Sequence, residues 1–438
     1  MKRLLSAIIA AAWLGWLAPL GGAAQAQPIP QVQNIGPNDL FPDIVNGNPA
    51  VPGYYANANQ VGVFGATLPG GNYDNALIGG DFSTNLFQRG ASVSTASSTY
   101  YVAYGADRWF TWGGTSTPTT MTQQTGAADI PPASSASYRI NKGSLTGVKQ
   151  ICTSQVVEST GAYRFQGKTA EFTFDALAGA GFSAASSNLA VYVSYGTVAD
   201  EGATYMAYGL NKQGGAGTTA WTGQVNLGGA AGFLIPITTS WARYGVEVPI
   251  PSTALEIGVS ICYTPVGTGT STDWFEFGKA ALAENPAMTS FAGAAGAILA
   301  PGDPRMKAFA RRPQQIETAL QERYYWQVNE PAASKAIGTG NYQTSTICDV
   351  VVPTPVPMRI IPTITIGGNS ESNTTWAVMV ASTTPVALAT TYLVVDAVVG
   401  STVNSLALQA TTAGKTAGYG CTLVGATGGA NIQASAEE

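Results

Sequence analysis

Tyr100, Tyr101, Tyr104, Trp109 and Trp112 lie close together in the chain, with Asp107 and Arg108 between them. Flat rings beside charged, hydrogen-bonding side chains suit one chemistry above others. The apolar face of a pyranose stacks on a ring while polar neighbours reach its hydroxyls. Tyr101, Tyr104, Asp107, Arg108, Trp109 and Trp112 are therefore the candidate glycan contacts. The competing reading is structural, because large rings fill cores and an Asp–Arg pair often bridges a fold. Arg108 beside Trp109 also fits a stacked structural pair. Trp221 and Trp274 are further candidates with no better claim.

Other chemistries find little support. The chain has no histidine, which excludes Ser-His-Asp and Cys-His catalysis and any histidine-ligated metal. Hydrolysis of a glycan needs two carboxylates at a fixed separation. Asp107 with Glu158, or Asp273 with Glu276, can be proposed, but nothing in the sequence singles out a pair. Cys152, Cys262, Cys348 and Cys421 are far apart and form no CxxC motif, so a thiolate metal site is not indicated. In an oxidising compartment they have three ways to pair, and the alternative is four buried thiols. Gly167-Lys168-Thr169 and Gly414-Lys415-Thr416 mimic a phosphate loop, yet Ala162 and Gln409 stand where its first glycine belongs. Both read as turns. No metal and no cofactor is expected. With 20 basic against 25 acidic residues and no basic run, nucleic-acid binding is not expected either.

The elements that must position these residues are strands. Only 10% of the 438 residues are charged and 52 are glycine, a composition suited to an extracellular β protein. From 75 to 283, short runs alternate. Ala170, Phe172 and Phe174 alternate with Glu171, Thr173 and Asp175, and Leu189, Val191 and Val193 with Ala190, Tyr192 and Ser194. Leu255, Ile257, Val259, Ile261 and Tyr263 alternate with Glu256, Gly258, Ser260 and Cys262. A period of two places one set on a core and the other toward solvent. The expected fold is all-β: a jelly-roll-like β-sandwich over 75–283, a short helix, then a second smaller β unit over 341–438. The connector, 284–340, carries the helix near 313–326, with Pro313 at its start and Ile316, Leu320 and Tyr324 on one face. In the second unit, strands are expected at Ile360–Ile366, Trp376–Val380 and Tyr392–Val399.

Several motifs resemble those of tailed-bacteriophage fibre and receptor-binding proteins. They are Asn75-Ala76-Leu77-Ile78-Gly79-Gly80-Asp81-Phe82, Phe87-Gln88-Arg89-Gly90, Tyr104-Gly105-Ala106-Asp107-Arg108-Trp109, Phe165-Gln166-Gly167-Lys168 and Trp241-Ala242-Arg243-Tyr244. Glu322-Arg323-Tyr324-Tyr325 and Pro357-Met358-Arg359-Ile360-Ile361-Pro362-Thr363 follow in the family's order. The resemblance implies a sandwich like carbohydrate-binding modules, displayed on a virion and touching cell-surface polysaccharide. It also implies a homo-oligomer, with trimers common among fibres. A fixed motif of this kind more often secures a fold than contacts a variable ligand. Read as a β run, 107–109 puts Asp107 and Trp109 on one face and Arg108 on the other. The favoured reading is then a satisfied Asp107 anchor beside a core Trp109, against a solvent-facing sugar platform.

The first residues look like an address. Lys2 and Arg3 precede an apolar run from Leu4 to Leu20, and Ala24-Gln25-Ala26 fits a signal-peptidase site. A signal peptide over 1–26 predicts export to the periplasm, cell surface or medium; if uncleaved, the same run is a membrane anchor. A leader is not part of the fibre pattern and points to a secreted or prophage-derived relative. Residues 27–74, rich in Pro, Asn and Gly, read as a linker or attachment arm.

Overall fold

A computed structural model describes residues 74–437 except 84–86, 96–100, 115–116, 118, 143–146, 211–219, 267–268, 286–295, 331–335, 368–375, 381–385, 390–391, 397–399, 413–414 and 426–429. The leader and nearly all of the arm lie outside the described residues. Among those described, no helix is long and apolar enough to cross a membrane.

Two antiparallel sheets form the sandwich. The first runs in the order β1 (Ser92–Ser94), β4 (Thr120–Gln124), β5 (Ser137–Asn141), β13 (Trp274–Glu284), β7 (Thr169–Ala178), β11 (Ala242–Pro249) and β14 (Ala297–Leu299). The second runs β10 (Phe233–Pro236), β8 (Asn188–Gly196), β12 (Glu256–Tyr263), β6 (Ile151–Val157), β3 (Phe110–Gly113) and β2 (Tyr101–Tyr104), with β9 (Val225–Leu227) also paired to β8. The alternating sets meet between the sheets as expected: Phe172, Phe174, Leu189, Val191, Val193, Ile257, Val259, Ile261 and Tyr263 share one core.

The opposite sets do not face solvent. Glu171 and Glu247 are buried because the connector lies across them: Lys307 N–H donates to Glu171 Oε1 (2.9 Å) and Arg305 pairs with Glu247 (3.2 Å). On the second sheet, Ala190, Tyr192, Phe110 and Trp112 join Met206 and Trp221 in a satellite core. Met206 lies on the short helix α2 (Tyr205–Gly209), which follows α1 (Ser159–Ala162) in the chain. Gly258 lies where any Cβ would strike Met206. Cys262 faces this layer and is bonded to Cys152, its register partner on β6.

The expected helix is α3 (Gln314–Glu322), with β15 (Tyr325–Glu330) starting inside the range predicted as helical. Its buried face also differs. Glu317 and Gln321 are buried whereas Ile316 is 44% exposed. The sandwich meets the helix through polar groups: Glu317 accepts from Gly79 N–H and pairs with Arg312 (2.9 Å).

The second unit holds two sheets. One is β15, β24 (Ala430–Ser435) and β18 (Thr363–Gly367); the other runs β20 (Val386–Ala389), β19 (Trp376–Val380), β23 (Gly420–Gly425), β16 (Ala336–Tyr342), β17 (Ile347–Pro353), β22 (Ser405–Thr411) and β21 (Tyr392–Val395). Their core gathers Tyr342, Val350, Trp376, Val378, Leu406, Leu408, Leu423 and Ile432. Cys348 on β17 and Cys421 on β23 are bonded across the intervening β16, where Gly340, the register partner of Cys421, has no side chain in the way.

Candidate functional site

The motif residues come together, but as a joint. Between β2 and β3 the chain does not continue as a β run. It turns, with Arg108 at φ 69° and Trp109 N–H donating to Ala106 C=O (3.0 Å). The alternation expected for Asp107, Arg108 and Trp109 therefore does not apply. Gly105 is required, since a Cβ there would run into the Tyr138 phenol.

Trp109 has no exposed surface. It packs against Phe82 and Phe277 (ring centroids 5.4 and 5.3 Å) and donates Nε1–H to Ile78 C=O (3.2 Å). Asp107 is equally buried, with Oδ1 on Arg89 (2.9 Å) and Oδ2 on the Gln88 amide (3.0 Å). Arg89 also pairs with Glu437 and lies over the Tyr325 ring (3.5 Å). Burial opposes its charge, but Glu437 and then Asp107 hold its pKa above the ordinary value. Two buried carboxylates thus share one guanidinium. Burial raises the Asp107 pKa to about 7, with Arg89 opposing the rise and Glu437 adding to it.

Arg108 sends Nη2 to Val156 C=O (2.7 Å) and stacks on Tyr324 (3.6 Å), while its own N–H donates to Glu437 (3.2 Å). Nearby, Glu158 pairs with Arg323 (3.1 Å) and Arg359 (2.7 Å). The Gln-Arg-Gly, Asp-Arg-Trp, Arg-Tyr-Tyr and Met-Arg motifs therefore meet where the sandwich joins the second unit.

This placement corrects the site expectation for the buried members. Asp107, Arg108, Trp109 and Trp112 are each at most 3% exposed, so none offers a ring face or free polar edge to a sugar. Trp112 lies in the satellite core, its Nε1–H on Ser154 Oγ (3.1 Å). Tyr101 and Tyr104 are half-buried. The Tyr101 hydroxyl contacts Thr119 (2.5 Å), and burial pushes its pKa up to about 12. Tyr104 sits under Arg89 (4.8 Å). Trp221 is buried with its Nε1–H on Gly202 C=O (3.1 Å).

The proposed carboxylate pairs are not assembled. Asp107 and Glu158 are each committed to separate arginines. Asp273 and Glu276 lie three residues apart on or beside one strand, hence on opposite faces. Asp273 pairs with buried Lys142 (3.1 Å) and Ser183 (2.7 Å). Glu171 and Glu247 do meet, as register partners bridged by the Asn285 amide (2.9 and 2.8 Å) under the connector. Burial raises both pKa values. Among the described residues there is no cluster that could hold a metal.

One polar patch of the sandwich lies on the outer face of β1, β4, β5 and β13. Register places Ser94, Thr120, Asn141 and Trp274 in one row, and Ser92, Thr122, Arg139 and Glu276 in the next, with Glu276 itself fully buried. Arg139 lies over the Trp274 ring (4.1 Å) and is anchored by Asp129 (3.0 Å) and by Glu276. Burial raises the Glu276 pKa to about 7 against the pull of Arg139. Asn141 Oδ1 and Glu276 Oε2 have no hydrogen-bond partner among the described residues. Sequence pattern offered only Trp274 and Glu276 here; the alternation of Arg139 with Tyr138 and Ile140 was the missed signal.

No family model matches the chain, and no curated protein matches it in sequence. Among solved structures it is similar to the enzymatically active domain of tailspike protein 4 of bacteriophage CBA120, with a TM-score of 0.26 and 9% identity over 48% of this chain and 22% of that one. It is similar to a CBM4 structure (TM-score 0.22, 12% identity, 47% of this chain and 97% of that one). It is also similar to the N-terminal CBM22 tandem domain of Paenibacillus barcinonensis Xyn10C (TM-score 0.23, 7% identity, 78% and 100%). The chain thus spans about a fifth of the tailspike structure's length. At these scores the likeness is loose, and function has to be read from this chain's own residues.

Proposed function

We propose that this chain is an exported, non-enzymatic, fibre-like surface protein whose sandwich recognises cell-surface glycans. The observation that carries the reading is the half-buried patch of Asn141, Arg139 and Trp274, on two neighbouring rows, bordered by the hydroxyls of Ser94, Thr120 and Thr122. It is flat, rigid because it is built on strands, and supplies donors and acceptors matched to sugar hydroxyls. Export is supported by the leader pattern together with the pairing of all four cysteines, since such bonds persist in oxidising compartments.

A glycan array read with the intact chain, followed by incubation with capsule polysaccharide, tests the proposal. Binding that is lost in Trp274→Ala and Asn141→Ala, with no release of reducing ends, is the expected result. Release of reducing ends identifies a depolymerase instead. Silence in both assays leaves a ligand-free scaffold and overturns the reading.

A further inference from the structure

A separate cleft of about 220 Å³ opens between residues 75–83, which precede the first strand, and the connector leading into α3. Asp81, Ser83, Ser135, Phe309, Arg311 and Gln314 line it. Its two acidic side chains are already satisfied from within. Asp81 is 6% exposed and takes the Ser83 N–H (3.3 Å) and Arg311 Nε (3.0 Å). Glu317, also in the wall, takes Gly79 N–H and Arg312 (2.9 Å). Arg312 in turn donates to the carbonyls of Leu77 (2.8 Å) and Asn75. Arg311 differs: its side chain is 49% exposed, and beyond Nε its guanidinium makes no hydrogen bond among the described residues. The charge presented to an incoming ligand is therefore positive, flat and two-pronged, the geometry that takes a carboxylate in bidentate fashion. Two hydroxyls, a carboxamide and one ring surround it, and the volume suits a single sugar ring.

We propose that this cleft binds one acidic sugar residue of the uronate class, its carboxylate on Arg311 and its hydroxyls on Ser83, Ser135 and Gln314. Asp81 is the positioning residue: its ion pair to Nε fixes the plane of the guanidinium. The inference rests on the reading of this chain as a glycan binder and adds a second, chemically distinct subsite.

The test is calorimetric titration of the intact, disulfide-bonded chain with glucuronate, galacturonate, glucose and acetate, in wild type, Arg311→Gln and Ser135→Ala. Both variants alter partly exposed side chains, and matched unfolding midpoints check that they fold. Binding of a uronate that weakens about tenfold or more in Arg311→Gln, and falls with added salt, is expected. Glucose binding as tightly as glucuronate, or a uronate indifferent to Arg311→Gln, overturns the proposal. Acetate binding as tightly as the uronates overturns the sugar assignment. The Trp274→Ala variant separates the two readings: neutral glycans bound through Trp274 with no uronate binding anywhere sink the cleft alone, while no glycan binding of any kind sinks both.

Discussion

Replacing Asp107 with asparagine should remove a pH dependence built into the joint. Asp107 and Glu437 share the guanidinium of Arg89, and burial makes Asp107 keep its proton to higher pH than a free carboxylate does. The Asp107 pKa is about 7 in the fold against an ordinary 3.8. Between those values the folded chain binds more protons than the unfolded one. The stabilisation is therefore complete below the ordinary value and is lost as pH rises through about 7. At about 1.4 kcal/mol per unit, the whole difference is about 4 kcal/mol, of which about 3 kcal/mol falls between about pH 5 and about pH 8. The amide of the Asp107→Asn variant still presents an oxygen to the Gln88 amide, but it cannot ionise. Urea unfolding followed by tryptophan fluorescence at the two pH values gives the slope for each protein. Glu276 and Glu256, whose raised values of about 7 and about 8 lie in the same window, titrate in both proteins and cancel in the comparison. Wild type should lose about 3 kcal/mol more than Asp107→Asn on going to the higher pH. Because the charge of Glu437 adds to the rise at Asp107, Glu437→Gln should flatten the slope as well. Equal slopes, or a wild type that gains stability relative to the variant, would mean that Arg89 keeps Asp107 ionised and that the burial argument is wrong.

Trp109→Ala empties a fully buried aromatic site and should cost about 3–5 kcal/mol, read as a fall in unfolding midpoint with loss of soluble yield. An unchanged midpoint would return Trp109 to the list of ligand contacts. Replacing Cys152 and Cys262 together releases a loop of 110 residues, for which chain entropy gives about 5 kcal/mol; the comparison is made by denaturant unfolding of oxidised protein, and no change would indicate that the pair does not form. N-terminal sequencing of protein exported from a Gram-negative host should begin at Gln27, whereas a full-length membrane-bound product would identify an anchor.

Period-two patterning was enough to place the sandwich core, because a strand facing a partner sheet must present an apolar side chain at every second position. Phe172, Leu189 and Ile257 were legible on that ground alone. The absence of histidine by itself closes off its catalytic chemistries. Which motif was a site and which a fastening was not legible. Asp107, Arg108 and Trp109 have the residue types of a sugar platform, and only the approach of Arg89, Tyr324 and Glu437, distant in sequence, turns them into a buried joint. The polar faces of β7 and β12 read as solvent faces for the same reason: local sequence does not show that the connector or α2 will cover them.

The sequence by itself determined the strand-rich class, the helix after Pro313 and the spacing of the motifs, since these follow from local periodicity and backbone preference. Tertiary structure alone decided the pairing Cys152–Cys262 and Cys348–Cys421, the burial of Glu171 and Glu247, and the cleft at Arg311. Each depends on residues brought together over long separations, where the energy of burial and charge pairing is set by neighbours that no local pattern names.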